Sequence, residues 1–88
     1  MKNDLNSVLI EGTLLDDPKE CKGDSCSFKI ESLRHTEERL VITIVAYAKL
    51  AKTLLKIGKK GRKARCVGRI TERKGNIRIV ADHIEFKG

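Results

Sequence analysis

Five segments of this chain have the pattern of β-strands, and where apolar and polar residues alternate in them with a period of two, the strand is expected to bury one face. In the second of these segments Phe28 and Ile30 alternate with charged residues. Turn-forming residues separate the segments, such as the Asp-Asp-Pro sequence at 16–18 that follows the first one. The predicted strands are 7–15, 27–33, 40–47, 64–71 and 77–86.

The period changes to that of an amphipathic helix over residues 48–57. Leu50, Leu54 and Ile57 fall at positions i, i+4 and i+7, so they share one helical face. The resulting order is strand, strand, strand, helix, strand, strand, in a chain of 88 residues that has room for one domain, 1–88. This order predicts an all-β protein with the OB-fold, a five-stranded barrel with one α-helix between strands 3 and 4.

The third predicted strand, 40–47, is apolar on both faces. Its even-numbered residues form one stripe, and its odd-numbered residues from Val41 to Tyr47 form the other. A strand with two apolar faces is usually covered on both sides. We therefore expect its second face to meet a subunit partner, a ligand or a loop of the same chain.

Charge is distributed unevenly along the chain. The formal net charge is +7. Residues 1–48 contain six Lys or Arg and nine Asp or Glu, whereas residues 49–88 contain thirteen and three. An asymmetry of this size favours a polyanionic partner, such as a nucleic-acid backbone.

The fourth predicted strand places its basic residues on one face. Lys63, Arg65 and Arg69 alternate with small or apolar residues, and no acidic residue occurs between positions 56 and 70. Side chains on one face of a strand recur about every 6.6 Å, which is close to the repeat of an extended nucleic-acid backbone. We expect this face to contact phosphates, while the barrel interior is filled by Ala64, Cys66, Gly68 and Ile70.

Four stretches of the chain resemble a known family. They are NSVLIEGTLLDDPK (6–19), SFKIES (27–32), the run from Ala46 to Gly75, and IVADHIEF (79–86). In order and in spacing they resemble the bacterial single-stranded DNA-binding proteins, in a short form without the acidic C-terminal tail of that family. The resemblance extends over nearly the whole chain.

The resemblance implies an OB-fold that assembles as a homodimer or homotetramer and binds single-stranded DNA without sequence preference in replication, recombination or repair. Tyr47 matches a family aromatic on which bases stack, and Arg73 and Lys74 match basic residues before the loop between strands 4 and 5. The chain contains no tryptophan, unlike the family. Because each base–aromatic stack contributes about 1–3 kcal/mol, we expect weaker binding than is usual for the family.

The predicted nucleic-acid contacts combine the resemblance with the basic strand face and the loop around positions 34 and 35. They are Tyr47, Arg34, His35, Lys29, Lys49, Lys63, Arg65, Arg69, Arg73, Lys74 and Arg78.

Other classes of function have little support in the sequence. No Ser/His/Asp or Cys/His arrangement, Gly-rich phosphate loop or apolar-face carboxylate pair occurs, so we expect a non-enzymatic protein without a metal or other cofactor. The pairing of Cys21 with Cys26 across a short turn is left open by the sequence. No signal peptide or membrane-length apolar segment is found, which predicts a cytoplasmic protein without membrane contact, and the family resemblance implies that it is nucleoid-associated.

Two alternatives fit the same pattern. An accessory protein of the primosomal type would keep the barrel and act mainly through contacts with replication or repair proteins. In that case the outward apolar stripe from Val41 to Val45 would meet the partner. Single-stranded RNA is the second alternative, because a basic groove accepts either backbone.

Overall fold

Six strands and one helix form the framework of the described residues. The computed structural model describes residues 5–35 and 38–87. The elements in chain order are β1 (Val8–Leu14), β2 (Lys19–Cys21), β3 (Ser25–His35), β4 (Glu38–Tyr47), α1 (Ala48–Ile57), β5 (Lys63–Arg73) and β6 (Asn76–Lys87).

The long strands form a closed barrel. The sheet order is β1-β5-β6-β4-β3-β2, and an additional pairing of β1 with β3 closes it. Strands β4 and β6 are parallel over residues 43–45 and 78–80, and the other pairs are antiparallel. The predicted all-β barrel of the OB type is confirmed. The predicted position of the helix is wrong only in its numbering: the structure adds the short strand β2, so α1 lies between β4 and β5.

Strand β1 reaches both of its partners by bending at Gly12. Its residues 8–13 pair with β5, and its last residues, Thr13 and Leu14, pair with β3. A Cβ atom at Gly12 would lie 2.3 Å from the carbonyl oxygen of Glu31. Only glycine allows this approach, and it lies next to the residues through which β1 pairs with β3 and closes the barrel.

The two aspartates before Pro18 fix the chain after β1. Asp16 Oδ1 accepts a hydrogen bond from the backbone N–H of Lys29 at 3.0 Å. Asp17 Oδ1 accepts one from the backbone N–H of Lys60 at 2.8 Å. These bonds connect the end of β1 to β3 and to the segment after α1, and they satisfy backbone donors that no strand partner reaches.

The barrel interior is filled by aliphatic residues, Phe28 and two thiols. Cys66 is buried in β5, where it acts as a small apolar side chain, as the alternation of that strand predicts. Cys26 is also buried, on β3. The largest fully buried side chains are Leu14, Ile30, Ile44, Leu54, Cys26 and Cys66.

A bulge in β6 changes which of its residues face the interior. Val67 pairs with His83 and Gly68 pairs with Ala81, so Asp82 is an extra residue in β6. Before Asp82 the odd-numbered Ile79 and Ala81 belong to the core, and after it the even-numbered Ile84 and Phe86 pack there. The bulge thus keeps both halves of a twelve-residue strand in contact with one core.

Two hairpins extend beyond the barrel at the end where β4 and β6 begin. Residues 38–42 of β4 pair only with β3, and residues 76–77 of β6 pair only with β5. Ile70 lies in the second hairpin and is 44% exposed, so its predicted place in the barrel interior is wrong. It keeps the inward-facing register opposite Ile79, but the pairing of β1 with β5 ends at Gly68, so Ile70 has no register partner on β1.

Helix α1 covers one end of the barrel. Ala51 and Leu54 are its buried residues, whereas Ile57, expected on the same face, is 45% exposed because it lies in the last turn. The helix bounds match the prediction. Among the described residues, no helix is long and apolar enough to cross a membrane.

Candidate nucleic-acid interface

Four strands place one polar side chain each in a line across the outer face of the barrel. Lys29 of β3 pairs with Thr43 of β4, Thr43 pairs with Arg78 of β6, and Arg78 pairs with Thr71 of β5. Their sequence neighbours Ile30, Ile44 and Ile79 are core residues, so the paired side chains point outward. We call Lys29, Thr43, Arg78 and Thr71 the transverse row.

The transverse row crosses a groove made of two adjoining depressions. One, of about 510 Å³, lies between the two hairpins, and the other, of about 390 Å³, continues toward the end of β4. Thr43, Arg73 and Arg78 line both, so the two form one continuous surface. We call this surface the groove. Its volume is in the range of small-ligand sites in proteins.

The groove is strongly basic. Neither depression has an acidic residue among the described residues that line it. No ion pair found within residues 5–35 and 38–87 involves any of its basic side chains. Their positive charge therefore remains available to a ligand. The basic residues of the groove are Lys22, Lys29, Arg73, Lys74 and Arg78.

Tyr47 stands at the end of the groove opposite the hairpin tips. It is the last residue of β4 and is followed directly by α1. Its side chain is 45% exposed and lines the same depression as Arg73 and Arg78. Thr43 and Val45 precede it on the outer face of the strand, and Val45 is buried there against the chain itself. An exposed ring beside a basic groove has the geometry of a base-stacking platform.

Arg73 and Lys74 owe their position to the tight turn of the β5–β6 hairpin. Arg73 pairs with Asn76, so Lys74 and Gly75 form a two-residue turn, at φ values of +53° and +82°. Two consecutive positive φ values match the twist of a hairpin. This turn places both basic residues in the groove.

Three of the basic residues predicted on β5, Lys63, Arg65 and Arg69, do not belong to the groove. Arg65 forms an ion pair with Glu11 of β1 at 3.3 Å, and Arg69 forms one with Asp82 of β6 at 3.4 Å. Lys63 pairs in register with Thr13 and Lys87, at the end of β5 away from the hairpin tip. The sequence around these residues lacks acids, but neighbouring strands supply them.

Glu11 is the acidic centre of this second surface. Its carboxylate also forms an ion pair with Lys87. The hydrogen bond from Lys87 lowers the pKa of Glu11, and Arg65 adds to the effect. This surface therefore has charges of both signs and is a poorer phosphate site than the groove.

The remaining predicted contacts lie away from the groove. Arg34 is at the end of β3, in a depression that it shares with Glu38 and Arg39. Lys49 is in the first turn of α1. The backbone of His35 ends β3, and its side chain falls outside the described part of the structure. Of the predicted residues, the structure brings together in the groove Tyr47, Lys29, Arg73, Lys74 and Arg78.

Several groove residues were missed in the sequence. Thr43 could have been found, because it alternates with Ile42 and Ile44 and so had to face outward with Tyr47. Lys22 lies in the turn between β2 and β3, where no periodicity applies. Thr71, which was also missed, lies beside the groove and becomes a neighbour of the predicted Arg78 only through the β5–β6 register.

Two polar atoms at the transverse row lack hydrogen-bond partners. Among the described residues, Thr71 Oγ1 and Arg78 Nε are buried and make no hydrogen bond. Unpaired buried polar groups are rare in folded proteins because each costs free energy. Their location on the outer face of the sheet, beside the groove, sets the transverse row apart from the rest of the surface.

The three cysteines are free and differ in exposure. Cys21 is exposed and lines the groove, while Cys26 and Cys66 are buried in the barrel. Cys21 shares the face of Ser25, and Cys26 points the opposite way into the core. The open question of a Cys21–Cys26 bond is thus answered by free thiols on opposite faces of the sheet. Burial raises the pKa of the Cys26 thiol, and that of Cys66 to about 11.

Together the fold and the groove define a class: a small OB-type barrel with a basic groove that is lined by no acidic residue within the described part of the chain. Comparison with models of protein families gives no match to this chain, and a search of curated proteins finds no match either. The resemblance to the bacterial single-stranded DNA-binding proteins consequently stays a prediction from the sequence.

Proposed function

We propose that this protein binds single-stranded nucleic acid, with DNA as its main ligand, through the groove and without sequence preference. The observation that carries the proposal is the set of five basic side chains on the groove, with no acidic residue among the described residues that line it. Lys and Arg in such a surface follow the phosphates of a strand, which all sequences share. The outer strand face of an OB barrel is a suitable surface for an oligonucleotide.

Tyr47 gives the groove a role in distinguishing single strands from duplexes. Its exposed ring can stack on a base only when that base is unpaired and turned out of a helix. Every base has an aromatic face, so the contact tolerates any sequence. With one aromatic ring in the groove, most of the affinity comes from phosphates, and we expect strong dependence on salt.

The proposal extends to how the protein acts. It is a non-enzymatic protein of replication, recombination or repair, it acts in the cytoplasm at the nucleoid, and it assembles as a homodimer or homotetramer. The process, the nucleoid location and the assembly rest on the family resemblance of the sequence, and the other points rest on its motifs and hydropathy. Sizing chromatography with light scattering at several protein concentrations measures the assembly directly.

A titration of fluorescent oligo-dT tests the main proposal. Anisotropy at low salt should report saturable binding, and unlabelled single strands of mixed sequence should compete equally well. A duplex of the same length should compete less well at equal phosphate concentration. A matched RNA oligomer measures the preference between the two backbones. Absence of binding to every single strand at low salt would contradict the proposal.

An accessory role through protein contacts is the second candidate. The hairpins carry exposed apolar side chains, and a protein partner would cover these. Leu33 is 64% exposed, Leu40 51% and Ile77 60%. Negligible affinity for oligo-dT, together with loss of a co-purifying replication or repair protein in the Leu40→Ser variant, would favour this candidate.

A further inference from the structure

The transverse row combines two kinds of group that bind phosphate. Lys29 and Arg78 supply positive charge, and Thr43 and Thr71 supply hydroxyl groups, in alternation across four strands. The guanidinium of Arg matches the geometry of phosphate oxygens, and hydroxyl donors complete their hydrogen bonding. We propose that the transverse row is a discrete binding site for one phosphate group of the bound strand. The proposal rests on the proposed function and adds a defined position to it.

The unpaired polar atoms distinguish this site from a general positive field. Among the described residues, Thr71 Oγ1 and Arg78 Nε are the buried side-chain atoms without a hydrogen-bond partner, and both belong to the row. Their Cα atoms are register partners on β5 and β6. The Arg78 side chain has several rotatable bonds, so in the proposed complex it turns outward and uncovers the Thr71 hydroxyl, and both groups then face one phosphate. A bound phosphate oxygen then satisfies groups that the free protein leaves unpaired.

The site has a fixed distance from the proposed stacking platform. Thr43 of the row and Tyr47 are both on the outer face of β4, four residues apart. At about 3.3 Å per residue they are separated by roughly 13 Å, or about two repeats of an extended backbone of about 6.6 Å. A phosphate held by the row and a base stacked on Tyr47 therefore belong to nucleotides about two positions apart.

Arg69 lies near the transverse row but differs from Arg78 of the row in having an acidic partner among the described residues. It precedes Thr71 by two residues on the same face of β5, so it is close to the row. It forms an ion pair with Asp82, whereas Arg78 makes no ion pair with any residue that the structure describes. A phosphate that approached Arg69 would meet a carboxylate, and one that approached Arg78 would not.

Replacement of Thr71 by Val tests the site, because it removes the hydroxyl and keeps the shape. We expect oligo-dT to bind about tenfold more weakly, the cost of a lost hydrogen bond to a charged group. The slope of log affinity against log salt should not change, because the hydroxyl is neutral. The midpoint of thermal unfolding should not fall, because the lost hydroxyl has no partner in the free protein. Thr71→Ser keeps the hydroxyl and should bind nearly as well as the native chain.

Two further variants complete the test. Thr13→Val makes the same change on β1, away from the groove, and should leave binding unchanged. Arg78→Lys keeps the charge and should keep the salt slope, while affinity falls several-fold with the loss of the guanidinium. If the native protein binds oligo-dT and Thr71→Val binds it equally well, the proposal of a discrete site is wrong and the proposed function stands. The same conclusion follows if Thr13→Val loses as much affinity as Thr71→Val. If native protein does not bind, both proposals are wrong.

Discussion

Two pairs of arginines on the same barrel allow the effect of the groove on binding to be distinguished from the effect of the net charge. Arg73 and Arg78 line the groove without an ion pair to any described residue. Arg65 and Arg69 are ion-paired with acids of neighbouring strands. The double variants Arg73→Ala/Arg78→Ala and Arg65→Ala/Arg69→Ala remove the same charge from the chain. We expect only the first to weaken the binding of single-stranded DNA strongly.

The size of the effect follows from the number of phosphates that the groove can neutralise. Five basic residues line it. At about 0.7 per phosphate on single strands, log affinity should fall by about 3.5 per unit of log salt. Between about 50 and about 200 mM salt this is a loss of roughly 100-fold in affinity for the native chain. Removal of two contacts should reduce the slope to about 2.1 and the loss over the same range to roughly 20-fold.

Fluorescence anisotropy of labelled oligo-dT over a series of salt concentrations measures both slopes. Circular dichroism and thermal unfolding should show that both double variants keep the fold, since exposed ion pairs contribute little to stability. If both double variants lowered the slope of log affinity against log salt by the same amount, the assignment of binding to the groove would be refuted. The chain would then act through its net charge.

Three other substitutions test separate parts of the structure. Tyr47→Ala should weaken binding of oligo-dT by about 1–3 kcal/mol while Tyr47→Phe binds like the native chain, because the ring and not the hydroxyl stacks; equal affinities for all three proteins, measured by anisotropy, would make Tyr47 a scaffold residue. Burial raises the pKa of Cys66 to about 11 in the folded state. The contribution of the Cys66 thiol to the free energy of unfolding is therefore intact below the ordinary pKa of a cysteine, and it is lost as pH rises toward 11. Urea unfolding should then show a loss of about 2–3 kcal/mol between about pH 9 and 11 that is absent in Cys66→Ala; the same loss in both proteins would rule out Cys66 as its source. Gly68→Ala should cost about 3 kcal/mol or more in urea unfolding, because its Cβ would lie 2.2 Å from the carbonyl oxygen of Val80; a change below about 1 kcal/mol would contradict that close contact.

The elements of the fold could be predicted because their signals are local. The switch from a period of two to a period of 3.6 at Ala48 gives the helix its bounds, and alternation around Phe28 and Ile44 gives strands with the correct inward faces. Strand β2 has three exposed residues and no apolar pattern, so nothing in its sequence distinguishes it from a turn. The predicted connection at 34–39 is shorter in the structure, because β3 ends at His35 and β4 begins at Glu38. The ends of these two strands are polar, so the sequence does not distinguish them from a loop.

The site was harder to predict because it depends on contacts between distant segments. Arg65 and Arg69 look unpaired in the sequence, but Glu11 is 54 residues from Arg65 along the chain and meets it only through the β1–β5 register. The bulge at Asp82 could not be predicted from the sequence either, because it is defined by the pairing of β6 with β5. Tyr47 and Arg73 were found through family resemblance and not through physical pattern alone.

The salt dependence of oligo-dT binding by the native chain tests the central claim most directly. The account predicts saturable binding at low salt, with log affinity falling by about 3.5 per unit of log salt over the measured range. Undetectable binding at the lowest salt concentration, or a slope near zero, would contradict it.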